Sequence, residues 1–269
     1  MTIRAAVESL TREWRFKRRL PREFGCAAVW VSPAGGLRYL LRRMSSIDPE
    51  LLGLAKEFVR AGDVVWDVGA NVGLFTVASA SLAGAQGRVV ACEPDEWLIT
   101  LLRRSAREQS RTAAPITIVP VAVAKELDVR TFCIAKRARA TNFLAGYGSS
   151  QTGGVSEERC VFTAPLDWLS ERLPPPDVLK IDVEGAELEV LQGAARLLSD
   201  ERPVILCEVS EAAAVGVSAL LQAHGYIVCD GSKPSTDRIP LHRAPWSTVA
   251  FPRERAGANG RVQLRSESA

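Results

Sequence analysis

Apolar residues along this chain come in short strand-length runs, separated by segments in which they recur every three or four positions. The runs predict strands at residues 64–67, 88–92, 116–121, 178–182, 204–208, 226–229 and 247–251. Helical periods fit between most of them, so the pattern is that of an α/β protein with a doubly wound, mostly parallel sheet. Between the third and fourth strands, "VRTFCIAK" and "RCVFTAP" read as two extra strands around a Gly- and Ser-rich loop, "GYGSSQTGG". That insertion lies beside the sheet's working edge and is a candidate lid or substrate loop.

Before the first of these strands the pattern changes. Residues 4–24 read as a basic helix with scattered aromatics, and "CAAVWVSPAGGLRYLL" as a hairpin turning at residues 33–36. Residues 1–47 are therefore expected to form an appendage, 48–252 the main domain, and the polar, Gly-containing stretch 253–269 a flexible tail. Charge sharpens this division. Net charge over the 269 residues is +3, yet residues 1–43 carry ten Arg or Lys against three Glu, which is +7, leaving −4 for the rest. A basic arm suits an anionic surface, a nucleic acid or an acidic carrier domain, and equally a solvated element that packs Trp14, Phe16 and Leu20 on the main domain.

The six cysteines stand singly, several of them inside apolar runs such as "VVACEP" and "VILCEV", and only two histidines accompany them. No zinc-type spacing exists, and reduced core thiols in a cytoplasmic protein are expected. No apolar run is long enough to span a bilayer, and the first twenty residues lack the apolar centre of a secretory signal. Oligomeric state is not written in the sequence.

The chemistry concentrates at "DVVWDVGANVGLFTVASA". A dinucleotide site needs G-x-G-x-x-G and a triphosphate site G-x-x-x-x-G-K-[ST], since each brings backbone N–H groups onto phosphates. Neither occurs. Instead, Asp67 at a strand end leads into a tight turn through Gly69, Asn71 and Gly73, and a carboxylate there suits an amine-bearing ligand better than a pyrophosphate. Twenty-six residues beyond Asp67 the next strand ends in Glu93, placed to accept hydrogen bonds from both hydroxyls of a ribose. An amine and a ribose without phosphate describe S-adenosyl-L-methionine. The alternative for the glycines is close helix-to-strand packing, and for Asp67 a helix cap.

Together, "VVWDVGANVGLFT", "VVACEPDE", "ITIVPVAVA", "VLKIDVEGAELEVLQGA" and "RPVILCEV" resemble the FkbM family of S-adenosylmethionine-dependent methyltransferases, over roughly residues 48–229. The resemblance implies a class I (Rossmann-like) methyltransferase fold, closed by a final antiparallel strand, and O-methylation of a hydroxyl on a sugar, polyketide or other small natural product. It carries cofactor contact onto Asp67, Gly69, Asn71, Gly73 and Glu93. One departure is visible: the helix after Glu93, "EWLITLLRRSAREQS", has Arg or Ser where the family commonly has Asn.

For the chemical step, period-2 alternation along "VLKIDVEGAE" puts Lys180, Asp182 and Glu184 on one side if the chain stays extended. Methyl transfer to oxygen needs an aligned acceptor and a base, and Asp182 is the first choice, with Lys180 to hold it ionised or orient the acceptor oxygen. Glu184 is read either as a second acid of the site or as a helix-start carboxylate, and Lys180 either as an active group or as a structural partner of Asp182. Glu208 is a further acid at this edge, and with Asp182 and Glu184 it offers oxygen ligands for magnesium, although no spacing demands a metal. His224 reads as a helix C-terminal cation. "DVEG" in place of Asn- or Asp-Pro-Pro-aromatic argues against a base-methylating enzyme and so against a nucleic-acid partner. A non-catalytic or scaffolding cofactor-binding module, and a methyltransferase with a macromolecular acceptor, stay open as alternatives.

Overall fold

The computed structural model describes residues 14–36, 38–41, 43–148 and 152–255. In chain order, β1 (Phe16–Arg19) and β2 (Ala28–Val31) form an antiparallel pair, followed by β3 (Val64–Val68), β4 (Arg88–Cys92) and β5 (Ile116–Val119). An insertion then contributes β6 (Ala122–Val123), β7 (Asp128–Ala135), β8 (Phe143–Leu144) and β9 (Val155–Ala164). The chain returns through β10 (Val178–Ile181), β11 (Val204–Glu208), β12 (Tyr226–Asp230) and β13 (Ser247–Pro252). Seven strands make the central sheet in the order β12-β13-β11-β10-β3-β4-β5, parallel except for β13, which runs antiparallel to both its neighbours.

The inner strands β3, β4, β10 and β11 are buried on both faces and mostly apolar, with Asp67 and Lys180 as buried exceptions. Alternate side chains feed two cores. Val65, Val89, Val178 and Val204 point into one, and Trp66, Val90, Leu179 and Ile205 into the other. The helix Leu74–Ala83 is buried along nearly its whole length because the helix Pro49–Phe58 and β2 cover its outer side. That explains a sequence, "LFTVASASLA", that is apolar all round. The helix Glu96–Arg107, with one wet face, is amphipathic, and the Asp95 side chain caps it by accepting from the Trp97 N–H at 2.9 Å.

The basic helix expected over residues 4–24 does not form in its described part. Phe16 and Arg18 are half-buried and Lys17 and Arg19 exposed, a period of two, so residues 16–19 pair as a strand with β2. The hairpin expected to turn at residues 33–36 is also redrawn: β2 turns back on β1 through residues 20–27, while Pro33–Gly35 is a short 3-10 helix leading to the helix Arg38–Leu41. Leu20, Phe24, Val29, Val31 and Tyr39 share one hydrophobic core with Val65, Val89 and Phe251 of the central sheet. Each such side chain contributes about 1.5–3 kcal/mol on burial, so this segment is fastened to the sheet. Residues 4–13, and 256–269 of the expected tail, lie outside the described residues.

Two strand ends fall short of expectation, and both shape the site. β5 ends at Val119 because Pro120 supplies no N–H, and Ala122–Val123 pairs with β9 instead. β10 ends at Ile181, although the Asp182 N–H still reaches the Val68 carbonyl at 3.0 Å. The insertion is a four-stranded sheet of order β6-β9-β7-β8, built on the long antiparallel pair β7 and β9.

Candidate active site

The site begins where β3 runs into its glycine turn. Gly69 and Ala70 both donate to the Cys92 carbonyl at 3.0 Å, so the turn folds back across the end of β4. Gly69 has φ +75°, and a Cβ there would lie 1.8 Å from the Asp182 carbonyl oxygen. No other residue fits. Gly73, at φ +88°, is excluded from bearing a side chain by Leu102, 2.5 Å from its ideal Cβ, so its service is helix packing.

Asp67 is fully buried. Its Oδ2 accepts from the Thr76 hydroxyl at 2.5 Å, and its Oδ1 pairs with Lys180 Nζ at 2.9 Å. The lysine donates onward to the Gly69 carbonyl at 2.7 Å and stands 3.6 Å from Asp182. Burial alone would lower the lysine's pKa, but Asp67 and then Asp182 hold it above its usual range. Asp67, expected to meet an amino group directly, is occupied from within by Thr76 and the lysine's charge, and Lys180 is the ion-pair partner of Asp67 more than of Asp182. The pair braces the turn from behind.

Glu93 is 4% exposed and sits one residue past β4. Its two oxygens accept from the Asn71 N–H at 2.8 Å and the Asp95 N–H at 2.9 Å. Burial pushes its pKa up to about 8, against the opposing pull of these two backbone donors. Beyond it opens a cleft of about 570 Å³, part of it open to solvent. Glu93, Gly69 and Asn71 form one wall, and Val121, Val123, Phe132 and Leu144 line an apolar recess. The insertion closes that recess through Asp95, a buried acid whose Oδ2 accepts from Arg139 at 2.6 Å and from the Asn142 amide at 2.8 Å. One acidic side chain therefore ties the ribose-binding candidate to the extra sheet.

The same cleft continues past Asp182 and Glu184 into a wider chamber bounded by Arg38, Asp48, Glu208 and Trp246. Alternation does not carry the chain that far: Glu184 has φ +55°, a left-handed turn. The turn still delivers Lys180, Asp182 and Glu184 to one chamber. Glu184 is not a helix-start residue, since the next helix begins at Glu187, whose Oε1 accepts from the Gly185 N–H at 2.6 Å. The Gly148 N–H of the insertion loop donates to the Glu184 carbonyl at 3.1 Å, and Tyr147 beside it donates to Glu189 at 2.7 Å. Burial raises the pKa of all three acids facing this space, with mutual repulsion adding to it: Glu184 to about 8, Glu208 to about 7, and Asp182 above its ordinary value despite Lys180.

Asn71, Gly69, Glu93, Asp182, Glu184 and Lys180 are thus brought to one connected space, whereas Asp67 and Gly73 stand behind it. Sequence reasoning missed Asp95, Arg139 and Asn142, whose only signal is the acid after "CEP", and it missed Arg38, Asp48 and Trp246. Among the described residues, no group of three or more His, Cys, Asp or Glu side chains is arranged to hold a metal ion. His224 lies at the C-terminal end of its helix, with Nδ1 3.2 Å from the Ser199 hydroxyl, remote from this chamber. All six cysteines are free, and Cys160 is exposed. No described helix is long and apolar enough to cross a membrane.

A mostly parallel seven-stranded sheet closed by an antiparallel strand, with a glycine turn and a strand-end acid at its carboxyl edge, is the class I methyltransferase fold. More narrowly, the sequence profile of the FkbM methyltransferase domain matches residues 67–228, over half of the chain, and the chain belongs to that family. Hexuronic acid methyltransferase AglP of Haloferax volcanii is 28% identical over 159 residues, which is 59% of this chain. The chain spans 61% of that relative's length. Among solved structures, methyltransferase FkbM from Methylobacillus flagellatus is similar with a TM-score of 0.44 at 16% identity, covering 74% of this chain and 50% of that one. The fibrillarin of Aeropyrum pernix, with S-adenosyl-L-methionine natively bound, is similar with a TM-score of 0.42 at 14% identity, covering 72% and 67%.

Proposed function

We propose that this enzyme moves the methyl group of S-adenosyl-L-methionine to a hydroxyl of a small-molecule acceptor, a sugar before a polyketide. One observation carries the reading: the strand-end acid Glu93 and the acids Asp182 and Glu184 line the same cleft, together with Gly69 and Asn71. The residues suit the cofactor. Glu93 offers a carboxylate for two ribose hydroxyls, the Val121 to Leu144 recess offers an apolar slot for a flat base, and Asn71 carries a buried Oδ1 with no partner among the described residues. When bound, S-adenosylmethionine supplies an electrophilic methyl group on a sulfonium.

The chain's own share of the chemistry is orientation and proton removal. Lys180, fixed by Asp67 and the Gly69 carbonyl, stands within reach of Asp182 and keeps a positive charge beside it. Asp182 takes the proton of the acceptor hydroxyl as its oxygen attacks, and Glu184 orients the acceptor from the other side. A location in the cytoplasm belongs to this proposal and would follow from the cofactor supply. The relative that acts on hexuronic acid supports a sugar acceptor. Incubation of the purified chain with methyl-labelled cofactor and fractionated small-molecule extracts, read by mass spectrometry, should yield an O-methylated carbohydrate. Labelling of protein or nucleic acid alone would overturn the proposal.

A further inference from the structure

From the lining of the chamber beyond Asp182 we infer that the acceptor is a hydroxyl-rich ring free of negative charge, seated on the face of Trp246, and that uronates are excluded. The inference rests on the methyl-transfer reading above and narrows its acceptor.

The chamber brings together five carboxylates, Asp48, Asp182, Glu184, Glu187 and Glu208, against two cations, Arg38 and Lys180, among the described residues. The buried cation, Lys180, is not available to a new anion, and Arg38 is half-exposed with Asp48 beside it. Lys180 is held 2.9 Å from Asp67 and donates to the Gly69 carbonyl, and Arg38 pairs with Asp48 at 3.4 Å. Glu187 is occupied as well, accepting from the Gly185 N–H and from the hydroxyl of Ser210. That leaves Glu184 and Glu208 with no side-chain hydrogen bond or ion pair among the described residues. The excess of acids over cations disfavours a further negative charge in this space, whereas hydroxyls or an ammonium would bind the two acids that have no side-chain partner among the described residues.

Trp246 supplies the second, independent half of the recognition. It is 60% exposed, an unusual state for the largest side chain, and it lines both the chamber and the groove next to it. Its backbone is fixed: its carbonyl accepts from the Val209 N–H at 2.8 Å, and the adjacent Ser247 is paired with Glu208 between β13 and β11. An exposed indole thus lines the same chamber as a row of hydrogen-bond acceptors. The C–H face of a pyranose fits the first, and its hydroxyls fit the second.

The test uses the full chain saturated with S-adenosylhomocysteine and a glycan array presenting neutral, amine-bearing and uronate-terminated oligosaccharides. Retention should be at least tenfold stronger on neutral or amine-bearing glycans than on uronates. Trp246→Ala should weaken that retention at least tenfold, and Glu208→Gln should narrow the discrimination against uronates. Retention that falls with salt marks the ammonium as the recognised group, and retention indifferent to salt marks the hydroxyls. Preference for uronates, retention of no glycan, or a Trp246→Ala chain that retains the same glycans equally well overturns the inference. Calorimetry of S-adenosylhomocysteine on the same sample keeps the two readings apart. A chain that holds glycans through Trp246 but does not bind the nucleoside refutes methyl transfer and leaves the acceptor class standing.

Discussion

The two ends of the cleft are built from different material. At the Glu93 end the acid is set by main chain and faces an apolar recess: amides of Asn71 and Asp95 fix the carboxylate, the Cys92 carbonyl fixes the glycine turn, and a buried acid locks the insertion on top. At the Asp182 end the walls are side chains drawn from separate segments, and its acids repel one another across the space. A backbone-built end offers one shape to one ligand. A side-chain-built end on loops can be altered residue by residue without disturbing the sheet.

The sharpest way to break the contrast is at Asp95. Asp95→Ala removes the helix cap and leaves Arg139 buried without its partner, so thermal or urea unfolding should show a loss of about 3–5 kcal/mol. A loss below 1 kcal/mol would mean that the insertion is not locked to the cofactor end at all. Next comes Asp182→Asn, expected to lower turnover about a hundredfold, or about 2.7 kcal/mol of barrier, with the fold intact. Glu184→Gln should cost less, because its part is orientation. Full single-turnover activity of Asp182→Asn would move the base to another group, Glu208 first.

A pH series separates the ends by a smaller effect. Glu93 and Glu184 at about 8 and Glu208 at about 7 bind protons more tightly folded than unfolded. Their penalty is absent in acid, below the unfolded value near 4.5, grows as pH rises, and is complete above about 8. The ligand-free chain should therefore lose melting temperature between about pH 5 and 8, and Glu93→Gln should flatten that slope more than Glu208→Gln. Equal slopes in all three proteins would show that Glu93 is not buried as an acid. The smallest effect belongs to Tyr147→Phe, which deletes the 2.7 Å bond to Glu189 beside the loop that contacts Glu184. About 0.5–1.5 kcal/mol should appear as a raised acceptor KM, with affinity for S-adenosylhomocysteine unchanged.

The same contrast decides what could be read from the residues. Strand runs, the glycine turn and Glu93 are local features, set by burial on two faces and by a backbone that must approach a neighbour closely, so they are written in consecutive positions. The segment before β3 misled because Phe16, Lys17, Arg18 and Arg19 alternate over too few residues to override the helical look of their surroundings. Asp67 was assigned to the ligand because a strand-end acid looks available until Thr76 and Lys180 are folded against it. Lys180, Asp182 and Glu184 were grouped correctly for an incomplete reason: the extended chain stops at Ile181, and a left-handed residue finishes the task. Trp246 and Arg38 had no signal, since they meet the site only through tertiary folding of segments some two hundred residues apart.

Calorimetry of S-adenosylhomocysteine on the wild-type chain, Glu93→Ala and Asp182→Asn, side by side, tests the division most directly. The wild type should bind one equivalent. Glu93→Ala should lose about 1.5–3 kcal/mol of affinity through the missing ribose acceptor, and Asp182→Asn should bind as the wild type does. Equal affinity in the wild type and Glu93→Ala, or a loss confined to Asp182→Asn, would contradict the account.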